Sequence, residues 1–326
     1  MRTPAEWEPH DQTLMGWPCR VELWGQTLAQ ARADYAEVAN AIAAFEPVTM
    51  IANPGADARA AREAVSSAVE VAELGLDDSW LRDCGPIYTL GDDGERIAVH
   101  FRFNAWGEKF PPWDRDAAVG RLIAQRLGDP VVEAQLVLEG GSILTDGQGT
   151  LLTTEQCLLN PNRNPSLSRE QIESSLAGHL GVQRFVWLGM GLLEDRDTDG
   201  HVDLIAAFTE PGAVLLQTVG EDNPNFERCQ ENRARLQDAG LRVTELPWLP
   251  YAEVAGETVA AGYLNFYICN RAVIVPVAAA ETDEQALALI AEQYPGREVV
   301  PVPGRVIAYA GGGPHCITQQ VPVAGG

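Results

Sequence analysis

The sequence predicts an α/β fold, and three observations carry that expectation. Helix-period stripes alternate with short β-rich runs along the chain. The β-rich runs that follow the helices begin near positions 48, 131, 184, 241 and 298, and the last three steps are 53, 57 and 57 residues. Each interval holds one helix but several strand-like runs, so strands outnumber helices. A near-constant period is the mark of a repeat. Five such units arranged radially make a pseudo-symmetric α/β propeller whose loops converge on a central site. A doubly wound sheet also alternates, so the hairpin expected of residues 137–144 with 150–158, around Asp146-Gly147, is the feature that favours the radial arrangement.

The elements follow in order. Tyr35, Val38, Ile42 and Phe45 recur at helical spacing, and residues 48–53 read as the strand behind them. Val119, Leu122, Ile123 and Leu127 make a second stripe, followed by β-rich residues 131–145. Ser168 and Gln171 have the spacing of a capping box. They open a helix with Ile172, Leu176 and Leu180 on one face, and residues 184–188 form the next strand. Residues 226–239 are helical in composition and precede the run 241–249. Thr282 and Gln285 repeat the capping-box spacing before Leu287, Ile290 and Tyr294, and residues 298–302 close the series. No low-complexity linker interrupts the pattern, so a single domain over residues 1–326 is expected.

Composition removes several classes of function. The chain has 326 residues, 46 acids against 23 bases and a formal charge of −23. Lys109 is its one lysine. A phosphate-gripping surface needs a basic face, which argues against nucleic acid as a partner, and a polybasic membrane contact is excluded in the same way. A negative field favours a cationic small molecule. No apolar run approaches the ~18 residues of a membrane span. Residues 1–13 lack the apolar stretch of a secretory leader. The six cysteines (Cys19, Cys84, Cys157, Cys229, Cys269, Cys316) are scattered singly. That fits a reduced, cytoplasmic protein rather than a disulfide framework. A homodimer is an open expectation that the sequence does not decide.

Four strings concentrate chemistry. Residues 78–86 read DSWLRDCGP, and residues 139–142 read EGGS, a carboxylate before two glycines that let another group come close. Residues 200–203 read GHVD, and an extended backbone there would point His201 and Asp203 to one face. Residues 311–316 read GGGPHC, expected to end a strand and to expose the residues behind the glycines. Each string alone has a plain reading. Asp83 could be a turn residue, Glu139 could end a strand, and a single cysteine is most often a small buried hydrophobe. Together they supply a thiol, imidazoles and three carboxylates. Cys with His is a covalent-catalysis pair. Several carboxylates suit a reacting group that is itself positive, planar and forked, which describes a guanidinium.

These strings resemble the guanidine-modifying deiminases, and within them the agmatine deiminase family. The resemblance runs over nearly the whole chain. It includes residues 4–10 (PAEWEPH), 103–107 (FNAWG), 138–143 (LEGGSI), 158–165 (LLNPNRNP), 198–203 (TDGHVD), 263–267 (YLNFY) and 315–320 (HCITQQ). It implies a five-unit α/β propeller of the pentein kind. It also implies hydrolysis of agmatine to N-carbamoylputrescine and ammonia in polyamine synthesis, without metal or organic cofactor. By the same resemblance Cys316 is the nucleophile and His201 the general acid/base. Asp83, Glu139 and Asp203 are the carboxylates that hold the guanidinium.

The far end of the substrate is expected to meet the acidic loop 194–199, with Asp199 as the candidate, while Trp80 and Trp106 line the methylene chain; Trp113 could do so too. Two departures bear on the substrate. The family reads Gly-Gly-Gly-Asn-Ile-His-Cys where this chain reads GGGPHC, one residue shorter, and the chain is also short between Pro250 and Gly262. Peptidyl-arginine, free arginine or another guanidino compound are therefore the alternative substrates. A metal-dependent hydrolase built on His201, Asp203, His315 and Cys316 lacks any familiar zinc spacing. A non-enzymatic acidic binding module is the remaining alternative. Finally, carboxylates beside Cys316 disfavour a thiolate and a bound guanidinium favours it, so the reactive form is expected mainly with substrate present.

Overall fold

The computed structural model describes residues 1–325, and its chain is a mixed α/β fold of separate small sheets. Four sheets share one plan. Ile87–Leu90, Arg96–Arg102 and Val131–Val137 form the first. Ile143–Thr145, Thr150–Thr154 and Arg184–Leu188 form the second. Ala206–Glu210, Ala213–Gln217 and Arg242–Leu246 form the third, and Tyr267–Cys269, Ala272–Val277 and Glu298–Pro303 the fourth. In each, the first pair is antiparallel and the second parallel.

The parallel step forces a crossover, because parallel neighbours cannot be joined by a tight turn. A helix supplies it every time: Asp116–Leu127, Arg169–Leu180, Phe226–Asp238 and Asp283–Gln293. The fifth sheet joins the two ends of the chain. Thr318–Pro322 pairs antiparallel with His10–Gly16, which pairs parallel with Val48–Ala52 across the helix Leu28–Ala43. Val69–Glu73 extends that sheet by one strand. A separate hairpin, Tyr251–Val254 with Glu257–Ala260, stands apart from the five. No helix of the described residues is long and apolar enough to cross a membrane.

The helical stripes and the strands behind them lie close to where the sequence places them, except that Leu122 of the second stripe is exposed and the run 131–145 is broken by the turn Gly140–Ser142. Tyr35, Val38, Ile42, Val119, Ile123, Ile172, Leu176, Leu180 and Ile290 are all buried, in separate clusters beneath the sheets. The Ser168–Gln171 capping box forms with both of its hydrogen bonds. Three local expectations are corrected. Thr282 makes no cap; its hydroxyl pairs instead with the Tyr263 hydroxyl at 2.7 Å, a tertiary partner that outcompetes the local one. The hairpin around Asp146-Gly147 spans only Ile143–Thr145 and Thr150–Thr154. Val137 belongs to the preceding sheet, and Glu155–Leu158 turns into a short helix. The GGGPHC string does not end a strand; it follows the helix Arg305–Tyr309 and leads into the last strand.

Closing the fifth sheet requires a buried polar joint. Glu46, after the first long helix, faces His10 Nδ1 at 3.1 Å and accepts from the backbone N–H of Asn270 at 2.5 Å and from the Thr13 hydroxyl. Burial alone would raise the Glu46 carboxyl, but the His10 hydrogen bond and charge, with the Asn270 and Thr13 donors, hold it below the ordinary value. Such a lowered group stabilises the fold above the unfolded carboxylate pKa, and that support is lost as the pH falls through the folded value. We expect Glu46→Ala to lower stability by about 3–5 kcal/mol, the usual cost of removing one partner from a buried charged network. The shift in urea midpoint against the wild type at neutral pH measures it.

Candidate active site

The end of the first three-stranded sheet, the turns behind it and the last loop of the chain bring the expected residues together. Asp83 sits in the one-turn helix Leu81–Cys84 and is buried, so it is not a surface turn residue. Glu139 follows the strand Val131–Val137, and Gly140–Ser142 then forms a 3-10 turn. The two glycines do what the sequence suggests. A Cβ on Gly140 would meet the Arg82 carbonyl oxygen at 2.2 Å. On Gly141 it would lie 2.7 Å from His201 Nδ1, 2.8 Å from Asp203 Oδ2 and 2.9 Å from Asp83 Oδ1. Three reactive side chains thus close over a position where only hydrogen fits.

His201 and Asp203 converge by another route than expected. The backbone is not extended there: His201 precedes the 3-10 turn Val202–Leu204. Asp195 sets that turn, its Oδ2 accepting from the N–H groups of Gly200 at 3.0 Å and His201 at 2.9 Å. Part of the acidic loop is therefore a staple for the turn that carries His201. Cys316 is only 3% exposed and lies at the base of a cleft. The glycines in front of it serve close packing rather than exposure, since a Cβ on Gly312 would meet Trp80 at 2.7 Å and Cys316 Cβ at 2.8 Å. The Cys316 thiol donates toward Asp203 Oδ2 at 3.4 Å, and its N–H is held by Asn265 Oδ1 at 3.2 Å.

Around His201 the charges are dense and incompletely paired. His201 Nδ1 lies 3.9 Å from Asp83 Oδ1 and 4.0 Å from Asp203 Oδ1, and Nε2 lies 3.6 Å from Glu139 Oε2. Both ring nitrogens and Asp203 Oδ1 are buried without a hydrogen-bond partner. Buried polar atoms are nearly always satisfied, so a cluster of orphans on facing groups marks a seat for something polar. Asp83 is otherwise fixed: its Oδ1 accepts from Gly141 N–H at 2.9 Å and its Oδ2 from Trp106 Nε1 at 2.9 Å.

The titrations follow from that crowding. Burial, opposed by His201 and reinforced by Asp203 and Glu139, lifts Asp83 to about 6. Burial opposes a charge on His201, yet the Asp83 charge, with Cys157 and Glu139 close by, raises its pKa well above the ordinary imidazole value. Asp203 and Glu139 are held below the usual carboxylate range against the cost of burial, the first by His315 and the second by Arg163. Burial, then Asp203 and Asp83, push the Cys316 thiol far up.

Glu139 occupies a different place from the other two carboxylates. Arg163 Nε donates to its Oε1 at 2.7 Å, and its Oε2 faces His201 from behind. It therefore orients and charges the imidazole, while Asp83 and Asp203 face the seat. Arg163 was not anticipated as a partner. Its string at 158–165 carried the signal, and Thr198 carbonyl and Asp199 complete its anchorage. Cys157 was read only as a buried hydrophobe; its sulfur, Glu139 and His201 bring three ligand-type atoms within 4.8 Å of one another. Those three could hold a metal ion, although Arg163 already supplies the positive charge on Glu139.

The cleft above Cys316 is lined by Leu23, Trp80, Trp106 and Phe110, with Asp78, Asp83 and Asp197 as its acids. None of the described residues lining it is Lys or Arg. Trp80 stacks on Trp24 and Trp106 packs edge-on against Phe103 and Phe110, so both form walls fixed from behind. Trp113 packs against the core instead. Asp199 does not line the cleft; its carboxylate is bound to Lys109 at 2.8 Å and Arg163 at 2.6 Å. Asp78 is spent on Arg20 at 3.2 Å and on the Ser79 N–H. Asp197 is the acid of this cleft whose carboxylate makes no hydrogen bond or ion pair among the described residues.

A buried thiol, a carboxylate-backed imidazole and two facing carboxylates are the groups expected of the cysteine-dependent guanidine-modifying class. The comparisons agree. The chain belongs to the Porphyromonas-type peptidyl-arginine deiminase family, whose model matches residues 2–322. An agmatine deiminase of Stutzerimonas stutzeri is 44% identical over 98% of this chain and 95% of its own length. A solved agmatine deiminase of Enterococcus faecalis superposes with a TM-score of 0.94 at 34% identity, covering 99% of this chain and 96% of that one. A substrate-bound agmatine deiminase of C. jejuni follows at 0.92 and 28% identity, again over 99% and 96%.

In the free protein Cys316 should be a thiol. The alkylation rate by iodoacetamide, taken as the difference from Cys316→Ser, is expected to keep rising beyond about pH 9, above the midpoint of an ordinary cysteine. A non-reacting guanidinium ligand should move that midpoint down. A free-protein midpoint below pH 7 would refute the reading.

Proposed function

We propose that this chain hydrolyses agmatine to N-carbamoylputrescine and ammonia, a step of polyamine synthesis, with Cys316 as nucleophile. The observation that carries it is the unpartnered acceptor Asp203 Oδ1, which together with the Asp83 carboxylate faces His201 Nδ1 beside the Cys316 thiol. A guanidinium offers planar donors to both carboxylates and places its carbon in front of the sulfur. We read the five like sheets as blades of one propeller domain with this site on its axis.

The protons then balance. Binding of the guanidinium lowers the Cys316 pKa, and the thiol releases its proton to water, which later returns it to the departing ammonia as ammonium. The thiolate attacks the guanidinium carbon. His201, a cation in the resting site, protonates the departing nitrogen, which leaves as ammonia. The thiouronium remains bound between Asp83 and Asp203. His201, now neutral, takes a proton from water as the resulting hydroxide adds to the same carbon; the C–S bond then breaks while the adduct's hydroxyl proton passes to sulfur, which releases the neutral ureido product and restores the thiol and the imidazolium. Glu139 and Arg163 keep the imidazole oriented throughout.

The far end of the cleft favours an amine. Free arginine carries a carboxylate that wants a cation, and the lining offers none. Asp197 supplies an unpaired acid, as the sequence expected of the 194–199 loop though at a different residue. A peptide would have to bring its arginine down a cleft walled by Trp80, Trp106 and Phe110 to a thiol with 3% exposure.

Colorimetric detection of ureido product across agmatine, arginine and a blocked arginyl peptide tests the assignment, with agmatine expected as the one good substrate. Cys316→Ser should lose at least about 10⁴-fold in kcat with its fold intact; a fully active serine variant would overturn the mechanism. Asp197→Asn should raise KM for agmatine about three- to fivefold and leave kcat within about twofold, the scale of an exposed ion pair.

A further inference from the structure

The N-terminal string PAEWEPH and the histidine before the nucleophile take no part in the chemistry above, yet they meet beneath it. His315 Nδ1 lies 2.8 Å from Asp203 Oδ2, and His315 Nε2 lies 2.7 Å from Glu6 Oε1. Carboxylate oxygens accept and do not donate, so an imidazole bonded to one at each nitrogen is doubly protonated. His315 is thus a buried cation clamped between two acids.

The rest of its surroundings are accounted for. Arg82 is the other cation facing it: Nε donates to the His315 carbonyl at 3.2 Å, and Nη1 reaches Glu6 Oε1 at 3.3 Å and Gln320 Oε1 at 2.8 Å. Arg82 and burial both disfavour charge on His315, and Glu6 with Asp203 overcome them, raising its pKa. Against the cost of its own burial, Glu6 is held at about 2 by His315 and Arg82. The Glu6 backbone is tied in turn, its carbonyl accepting from or meeting His10 Nε2 at 2.9 Å.

Resting on the function proposed above, we propose that Glu6 and His315 are positioning residues that hold Asp203 as an anion and leave its Oδ1 free for the guanidinium. Asp203 Oδ2 is engaged by His315 and the Cys316 thiol, while Oδ1 has no partner and faces His201. The first residues of the chain thereby set the charge of a site built more than a hundred residues later. The sign is fixed: the support is present while His315 is protonated and is lost as the pH rises through its folded pKa.

Glu6→Gln keeps an acceptor and removes the charge. It should fold, move the alkaline limb of kcat/KM for agmatine down by about one pH unit and raise KM about three- to tenfold, with kcat at the optimum much less affected. Glu6→Asp, which keeps the charge, should recover most of the wild-type profile. NMR titration of the His315 ring nitrogens reads the same shift without turnover, so it tests the clamp even if agmatine proves not to be the substrate. A His315 that titrates like an ordinary histidine, or a folded Glu6→Gln protein with unchanged KM and pH profile, would overturn the inference.

Discussion

The structure depends on keeping several carboxylates out of water without a full set of partners. Asp83, Glu139 and Asp203 are 5%, 0% and 2% exposed, and His201 beside them is fully buried. An unpaired buried charge is expensive. Two of the three acids are paid for by neighbours, Arg163 on Glu139 and His315 on Asp203. Asp83 is left with backbone and indole donors and a raised pKa, and one oxygen of Asp203 has nothing. On the proposed function, a planar cation supplies the donors that these oxygens lack.

The same imbalance governs the nucleophile. A thiol next to two carboxylates is a poor nucleophile, which protects it in the resting protein. On the proposed function, the charge that activates it arrives with the substrate. Substrate selection and activation therefore share one interaction, and a neutral isostere of the guanidinium would gain neither binding nor a thiolate.

The scaffold explains how distant segments reach this seat. The short turns between consecutive sheets, at 81–84, 139–142 and 200–204, and the loop at 311–316 before the last strand carry the side chains that converge. Close approach is licensed by missing side chains at Gly140, Gly141 and Gly312. The overall charge of −23 contributes a general field. The specific work is done by a handful of acids, and several others, such as Asp195 and Asp199, serve as staples and counter-ions.

The sequence by itself determined the periodic frame and the set of polar side chains that meet within it. Apolar spacing is local, so the helices at 28–43, 116–127 and 169–180 and the strands behind them were legible, as were Cys316, His201 and the three carboxylates as a set. Only the tertiary structure decided how those groups divide the labour. Thr282 left its capping role for Tyr263, Glu139 went behind the imidazole, and Asp199 was taken by Lys109 and Arg163, leaving Asp197 in the cleft. The Glu6–His315 clamp joins positions 6 and 315. Each of these is a choice among competing polar partners from distant segments, and that competition is settled by distance and burial, which spacing along the chain does not encode.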